Sequence, residues 1–144
     1  MSVTDAQVAA LRAYLKGDFE GHRRLLKAMG SREGFTALVP ATFLLLTDRR
    51  FPEGTPIGLI VEFVGEVRAR YFNDPDGLDP LAAERLLAAV NGDDPVSDIG
   101  PGVKYHTQLV LLYPIVSEEK LSNQGIENLL AAARKVADEW LEQP

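Results

Sequence analysis

The stretch FLLLTDRRFPEGTPIGLIVEFVGEVRARYF, residues 43–72, decides the fold class. Two apolar runs within it, Phe43–Leu46 and Ile57–Val64, could cross a membrane, form strands or form core helices. A membrane-spanning helix needs about 20 mostly apolar residues. Charged side chains intervene first, with Asp48 after one run and Glu62 within the other. We therefore expect no membrane contact.

The second run carries signals for both kinds of secondary structure. Its β-branched residues favour a strand. Thr55 followed by Pro56 instead predicts a helix start, with an N-cap and then proline at the first helical position. We predict a helix on spacing and keep a strand over Ile57–Val64 as the alternative. The residues at helical spacing are Ile60, Phe63, Val64, Val67 and Tyr71.

The first run ends a longer helical pattern that begins at Phe35. Apolar residues recur there at the spacing of one helix face as far as Leu46. Pro40 lies inside this pattern, where it lacks a backbone N–H and crowds the preceding turn. We expect a kink at Pro40, or a break and restart near Val39.

Five further segments have helical periodicity, which gives seven in all. The first two meet at Gly17-Asp18, a joint short enough to imply an antiparallel or sharply angled pair. The sixth is apolar nearly all round over Leu109–Val116, so we expect it to be central, with a buried strand as the alternative. The expected N-caps are Thr4, Asp18, Asp79 and Ser122. The stripe expected on the second segment consists of Phe19, His22, Leu26 and Met29.

The last segment has the most regular apolar stripe, from Ile126 to Leu141. Trp140, the only tryptophan, lies on this stripe one turn after Val136. We expect its indole to be largely buried within its own domain, so that Trp140→Ala costs about 3–5 kcal/mol. The alternative is a docking surface, with the indole exposed in the monomer and buried on association.

These patterns predict an all-α fold, an irregular bundle of six to seven helices in one compact domain over residues 1–144. We expect the third, fourth and sixth segments at its centre. The short connector FPEGTP predicts that the third and fourth segments form an antiparallel pair. The composition, 46% apolar and 25% charged, is typical of globular proteins.

Composition also excludes several classes of function. The chain has no cysteine, which rules out disulfides, thiol catalysis and cysteine-bound metal centres. Its first residues lack the pattern of a signal peptide, so we expect a cytoplasmic location. The net charge is −6, with +2 over residues 1–72 and −8 over residues 73–144. This acidity disfavours general nucleic-acid binding.

The chain contains no standard catalytic or cofactor motif, and we expect no enzyme activity, cofactor or metal. His22 and His106 are isolated, and we interpret His22 as a hydrogen-bonded histidine at the edge of the core. NDPDGLDP resembles a calcium loop when Gly77 takes the position of the fixed glycine, but the final ligand position is then Ala83, so the pattern fails. The acids of GDDPVSD are interpreted as loop solvation.

Two sets of residues remain as binding candidates. Arg49 and Arg50 end the third segment, and Arg68 and Arg70 end the fourth, where cations favour the helix dipole. Arginine pairs also bind phosphate and carboxylate groups, although antiparallel helices would hold these two pairs apart. Trp140 is the other candidate, as a contact to a partner.

The leading functional hypothesis is a non-enzymatic interaction or regulatory module that binds an unidentified protein partner, including a second copy of itself. One alternative is a small-ligand pocket between helices distorted at Pro40 and Pro114. A weaker alternative is DNA binding through the second segment, which carries His22, Arg23, Arg24 and Lys27.

Overall fold

The computed structural model describes residues 1–72, 74 and 77–143, and no strand occurs in these ranges. The prediction of an all-α fold of six to seven helices is confirmed, with seven α-helices in the described ranges. The helices are α1 (Asp5–Leu15), α2 (Phe19–Ala28), α3 (Glu33–Arg50), α4 (Ile57–Tyr71), α5 (Pro80–Ala89), α6 (Pro101–Glu119) and α7 (Asn123–Glu142).

Both strand alternatives are wrong, because Ile57–Val64 lies within α4 and Leu109–Val116 within α6. Asn73, Pro75 and Asp76, which belong to the predicted linker and to the calcium-loop comparison, lie outside the described residues. In the part of the chain that is described, no helix combines the length and apolar character needed to cross a membrane.

The predicted N-caps are confirmed at four helices. At α1, the Thr4 hydroxyl accepts a hydrogen bond from the Gln7 backbone N–H at 3.2 Å, and the Gln7 side chain accepts one from the Thr4 N–H at 2.9 Å. The buried Gln7 amide also donates to the Ser31 carbonyl at 2.9 Å. The start of α1 is therefore tied to the α2–α3 connection. The other three caps are Asp18, Asp79 and Ser122.

Helix α3 lies at the centre of the core and packs against α1, α6 and α7. Leu38 and Leu46, on its buried face, are fully enclosed. The expected break near Val39 is wrong, since α3 continues through Pro40 without interruption. Burial of the surrounding face compensates for the missing proline N–H, because tertiary packing supplies most of the stability of helices in proteins. A kink at Pro40 stays a prediction.

The expected central place of the fourth segment is wrong. Helix α4 packs mainly on α5 rather than pairing with α3, and Ile57, Leu59 and Val61 in its first half are exposed. Its start also differs from the prediction. The helix begins at Ile57, and the Thr55 hydroxyl donates to the Pro52 carbonyl at 2.6 Å instead of capping α4.

The N-terminal residues are joined to α7. The backbone N–H of Val3 donates to the Asp138 carboxylate at 2.6 Å. Arg134 donates to the Val3 carbonyl and to the Asp5 carboxylate, each at 2.7 Å. Val3 itself is 1% exposed, so these polar contacts surround a buried apolar anchor.

Candidate functional site

The two arginines that end α3 already have carboxylate partners. Arg49 lies 3.5 Å from Glu119, and Arg50 lies 3.1 Å from Glu118. The Arg50 guanidinium also lies 4.7 Å from the centroid of the Phe51 ring. These contacts join the C-terminal ends of α3 and α6, which disfavours an anion site at this pair.

The second arginine pair belongs to a different packing interface. Arg68 and Arg70 lie near the end of α4, the helix that packs on α5. Arg68 is partly buried and takes part in an interaction, whereas Arg70 is exposed. The structure therefore associates one pair with α6 and the other with the α4–α5 side of the molecule.

The expectation of a buried Trp140 is wrong, because the residue is 39% exposed. It lies near the C-terminal end of α7, beyond the last fully buried residue of that helix, Ala137. It borders a mostly apolar groove of about 220 Å³, here called the Trp140 groove. The groove is lined by Pro40, Phe43, Leu44, Leu86, Ala89, Val90, Val96, Lys104, Gln108 and Trp140.

One wall of the Trp140 groove is held by an ionic clamp in the α5–α6 loop. Arg85 binds the carboxylates of Asp94 and Asp98 with two hydrogen bonds each, at 2.8–3.1 Å. The Asp94 carboxylate also accepts from the Val96 N–H at 2.9 Å, and Val96 has a φ of 47°. The interpretation of these acids as loop solvation is therefore wrong for Asp94 and Asp98. Asp94 in addition binds the backbone of a β-branched residue in the left-handed region, which such residues rarely adopt.

A second depression, about 310 Å³ in volume and open to solvent, lies between α1–α2 and the C-terminal end of α4 with the middle of α6. We call it the aromatic cleft. It is lined by Tyr14, Phe19, His22, Arg23, Tyr71, Phe72, Val110, Tyr113 and Pro114. Its rings contact one another edge-on, with centroids 5.3 Å apart for Tyr14–Phe19 and Phe19–Tyr113 and 6.0 Å apart for Tyr71–Tyr113.

The turn between α1 and α2 brings these rings together. Gly17 ends α1 with a φ of 82°, as expected for a residue that closes a helix. The Tyr113 ring approaches Gly17 so closely that a Cβ there would lie 3.1 Å from the ring edge. Glycine is therefore favoured at this position by its positive φ and by the close approach of the Tyr113 ring.

His22 lies at the boundary between the cleft and the core, and it is only 6% exposed. Its Nδ1 lies 2.7 Å from the Ala10 carbonyl oxygen. Because a carbonyl can only accept, Nδ1 carries the proton, and in the neutral ring Nε2 keeps its lone pair. Among the described residues, no hydrogen-bond donor engages Nε2. The expected hydrogen bond of His22 is thus confirmed, whereas the side chain is buried rather than partly buried as expected for a boundary position.

Burial changes the acidity of one tyrosine in the cleft. The pKa of the Tyr14 hydroxyl is raised from 10.0 to about 12 because burial disfavours the phenolate. At neutral pH this hydroxyl is therefore a firmly protonated hydrogen-bonding group. The centroids of the Tyr14 and His22 rings lie 5.0 Å apart, so the two side chains pack against each other.

Helical periodicity missed most of this site. It placed Phe19 on an inward stripe, but the residue is 40% exposed and forms a wall of the cleft. Tyr14 and Tyr113 were not among the candidate residues. A usable signal was the position of Tyr14 and Phe19 on either side of the Gly17 turn. The proposed pocket positions do occur in depressions, Pro114 in the aromatic cleft and Pro40 in the Trp140 groove.

Within the described ranges, no three His, Asp or Glu side chains are grouped so that they could hold a metal ion. Comparison of the chain with protein-family models, with curated proteins and with solved structures gives no match. Function is therefore inferred from the geometry of the aromatic cleft and of the Trp140 groove.

Proposed function

We propose that the protein is a non-enzymatic binding protein that holds a small molecule with a planar ring in the aromatic cleft. The observation that carries this proposal is a cluster of five aromatic side chains and one histidine around an open volume of about 310 Å³. Ligand sites in proteins are concave and mostly apolar, with few polar groups that fix orientation. The cleft has this composition and lies within the usual size range for such sites.

The rings supply the binding energy in this proposal. A ring ligand that enters the cleft removes apolar area from water, at about 25 cal/mol per Å². It also gains edge-to-face or offset contacts with aromatic side chains, worth about 0.5–1.5 kcal/mol for each good pair. Because Tyr14, Phe19 and Tyr113 already contact one another, little side-chain order has to be created when the ligand binds.

Binding rather than catalysis is proposed because the cleft lacks an activated nucleophile among its described residues. An imidazole base needs a hydroxyl or thiol within hydrogen-bond reach of its free nitrogen. None of the hydrogen bonds of the described residues joins His22 to such a group, and Nδ1 is held by Ala10. The interaction with a ligand that the imidazole best supports is acceptance of a hydrogen bond at Nε2.

The test is a titration with naphthol, followed by the ring signals of the protein in NMR spectra. We expect shifts confined to the residues of the cleft, with saturation. Phe19→Ala removes an exposed wall and should weaken binding by about tenfold at little cost in stability. Leu81→Ala is the matched control, since Leu81 is 63% exposed and lies outside the cleft. Equal binding by both variants, or shifts spread over the surface, would contradict the proposal.

A second candidate function, recognition of another protein, is favoured by the exposure of Trp140 beside an apolar groove. The occupant we propose is the end of α7 from a second copy of the chain. That segment presents Trp140 between the exposed acids Glu139 and Glu142. Lys104 is the one charged side chain among the described residues that line the groove. The segment and the groove are therefore complementary in both apolar character and charge, as at interfaces centred on a tryptophan.

Concentration-dependent fluorescence tests this second function. We expect red-shifted Trp140 emission in dilute protein and a blue shift on concentration, with small-angle scattering that reports a dimer. Trp140→Ala leaves no tryptophan to emit, so it is followed by small-angle scattering, which should report a monomer at every concentration. This substitution should cost only about 1 kcal/mol of stability, whereas Leu130→Ala, at a site 1% exposed, should cost about 2–5 kcal/mol. A monomer at all concentrations would exclude self-association through this groove.

A further inference from the structure

Some cations of this acidic chain form ion pairs with carboxylates, whereas others do not. Arg12 is bound to Glu127 at 2.7 Å, and Arg134 to Asp5 at the same distance. On α2, by contrast, three cations are exposed and make no ion pair with the residues that the structure describes. They are Arg23, Arg24 and Lys27. One face of α2 therefore carries three cations that are adjacent and form no ion pair with described residues, although the chain as a whole has a net charge of −6.

This face adjoins the aromatic cleft. Arg23, Arg24 and Lys27 line a hollow of about 390 Å³ together with the carboxylate of Glu20. Arg23 lines both the hollow and the aromatic cleft, so the two depressions meet at its side chain. It is also the only charged group among the described residues that line the cleft. A ligand that fills the cleft thus lies next to the positive charge of Arg23 at the edge of the cleft.

We infer that the ligand of the aromatic cleft is a planar aromatic compound that carries an O–H or N–H donor on its ring and a carboxylate or phosphate group. This inference rests on the proposed function and names its ligand class. The donor binds Nε2 of His22, an acceptor in the cleft that no described residue engages. The anionic group binds Arg23, with Arg24 and Lys27 close by on the same helix. Guanidinium groups suit both carboxylate and phosphate because they donate two parallel hydrogen bonds.

The same features disfavour two other ligand classes. Aromatic rings attract organic cations through their faces. Such a cation would here meet Arg23 without a carboxylate from any described residue of the cleft. A nucleic-acid strand could stack its bases on the rings, but its affinity depends on many phosphate contacts. Three cations beside Glu20, on a chain of net charge −6, provide few of these contacts.

The test compares four related probes by calorimetry in a buffer where imidazole is neutral. Hydroxynaphthoate has the ring, the donor and the anion. Hydroxynaphthamide replaces the anion by an uncharged amide, naphthoate lacks the donor, and naphthyl phosphate carries a phosphate on the same ring. We expect hydroxynaphthoate to bind about fivefold or more tightly than hydroxynaphthamide, and more tightly than naphthoate. The comparison of naphthoate with naphthyl phosphate identifies the preferred anion.

Two variants assign the effects to residues. Arg23→Gln should remove the preference for hydroxynaphthoate over its amide, while Lys135→Gln, an exposed cation on α7, should preserve it. His22→Asn keeps a donor near the Ala10 carbonyl but has no group at the position of Nε2. It should remove the preference for hydroxynaphthoate over naphthoate. Thermal unfolding checks that each variant is folded.

The outcomes separate this inference from the proposed function. Equal binding of hydroxynaphthoate and hydroxynaphthamide would overturn the ligand class and leave the aromatic cleft as a ring-binding site. Tighter binding of a naphthyl trimethylammonium compound would overturn it in the same way. If none of the naphthyl compounds binds, the proposed function itself fails.

Discussion

At the scale of single residues, Tyr14 gives the structure a measurable dependence on alkaline pH. Its hydroxyl has a pKa raised to about 12 by burial, so the folded chain keeps this proton after the unfolded chain has lost it. The stabilising contribution is therefore complete below about pH 10 and is lost between about pH 10 and 12. We expect the free energy of unfolding to fall by about 2 kcal/mol over this window on account of Tyr14.

Phenolate absorbance, measured as a function of pH, checks this prediction. Burial raises the pKa of Tyr105 to about 12 as well, so two tyrosine hydroxyls of the wild-type protein should lose their protons only near pH 12. Tyr14→Phe should remove one of them and reduce the alkaline loss of stability. If the rise in phenolate absorbance near pH 12 is unchanged in Tyr14→Phe, Tyr14 is not buried as described.

Gly17 and Gly54 form a matched pair that separates backbone strain from a side-chain clash. Both have positive φ angles, 82° and 90°. A Cβ at Gly17 would lie 3.1 Å from the Tyr113 ring, whereas a Cβ at Gly54 would have no neighbour within 4 Å. We expect Gly54→Ala to cost about 1–2 kcal/mol, the penalty of the left-handed region, and Gly17→Ala to cost more. Urea unfolding measures the difference, and equal costs would show that Tyr113 can move away freely.

At the scale of elements, the α5–α6 loop depends on the clamp around Arg85. The hydrogen bonds from Arg85 hold the pKa of Asp98 down at about 2 and lower that of Asp94. Because these pKa values are depressed in the folded state, the clamp is complete above about pH 4. It is lost as the pH falls through the folded-state pKa values. The loop, and with it the Val96 wall of the Trp140 groove, should loosen in this acid range.

Arg85→Gln tests the clamp at neutral pH. We expect the pKa of Asp98 to rise towards its ordinary value. We also expect Trp140 emission to shift to the red, because the groove that the indole borders loses the support of its Val96 wall. Carboxyl NMR and fluorescence provide the two measurements, and Lys135→Gln is the control. Unchanged emission together with a raised pKa of Asp98 would show that Val96 keeps its place without the clamp.

Elements were predictable from sequence where a local hydrogen bond defines them. Asp79 was recognised as a cap because its carboxylate binds N–H groups only two and three residues ahead. The N-cap predicted at Thr55 is wrong because a threonine hydroxyl can instead donate to the carbonyl of an earlier residue, here Pro52. The sequence does not show which of these two hydrogen bonds forms. Spacing also identified the buried side of α4 at Phe63 and Val64. It could not show that α4 would pack on α5 and leave Ile57 exposed.

At the scale of the whole molecule, the candidate site was beyond sequence reasoning for a geometric reason. The aromatic cleft collects side chains from 14–23, 71–72 and 110–114, which only the packing of α1, α2, α4 and α6 brings together. Periodicity states which side of a helix is apolar, but it does not state which helix will cover that side or how completely. Trp140 shows the same limit, since its position continues the stripe while its neighbours leave it 39% exposed.

The junction between the N-terminal residues and α7 affects the stability of the whole chain. Asp138→Ala removes the acceptor of the Val3 N–H, and a partly buried donor left unpaired costs about 1–3 kcal/mol. We expect Glu139→Ala, a change at an exposed neighbour, to be nearly neutral. Urea unfolding compares the two. Equal midpoints would mean that water replaces the carboxylate at no cost.

This junction also has a consequence for synthesis on the ribosome. Val3 and its partner Asp138 are 135 positions apart, and translation proceeds at about 5–20 residues per second. The start of α1 therefore waits roughly 7–27 seconds for the residue that holds it. Over much of that time Leu38 and Leu46 of α3 also lack the surfaces of α6 and α7 that cover them. We therefore expect the nascent chain to bind chaperones that shield apolar helices, and to be released from them after the emergence of α7.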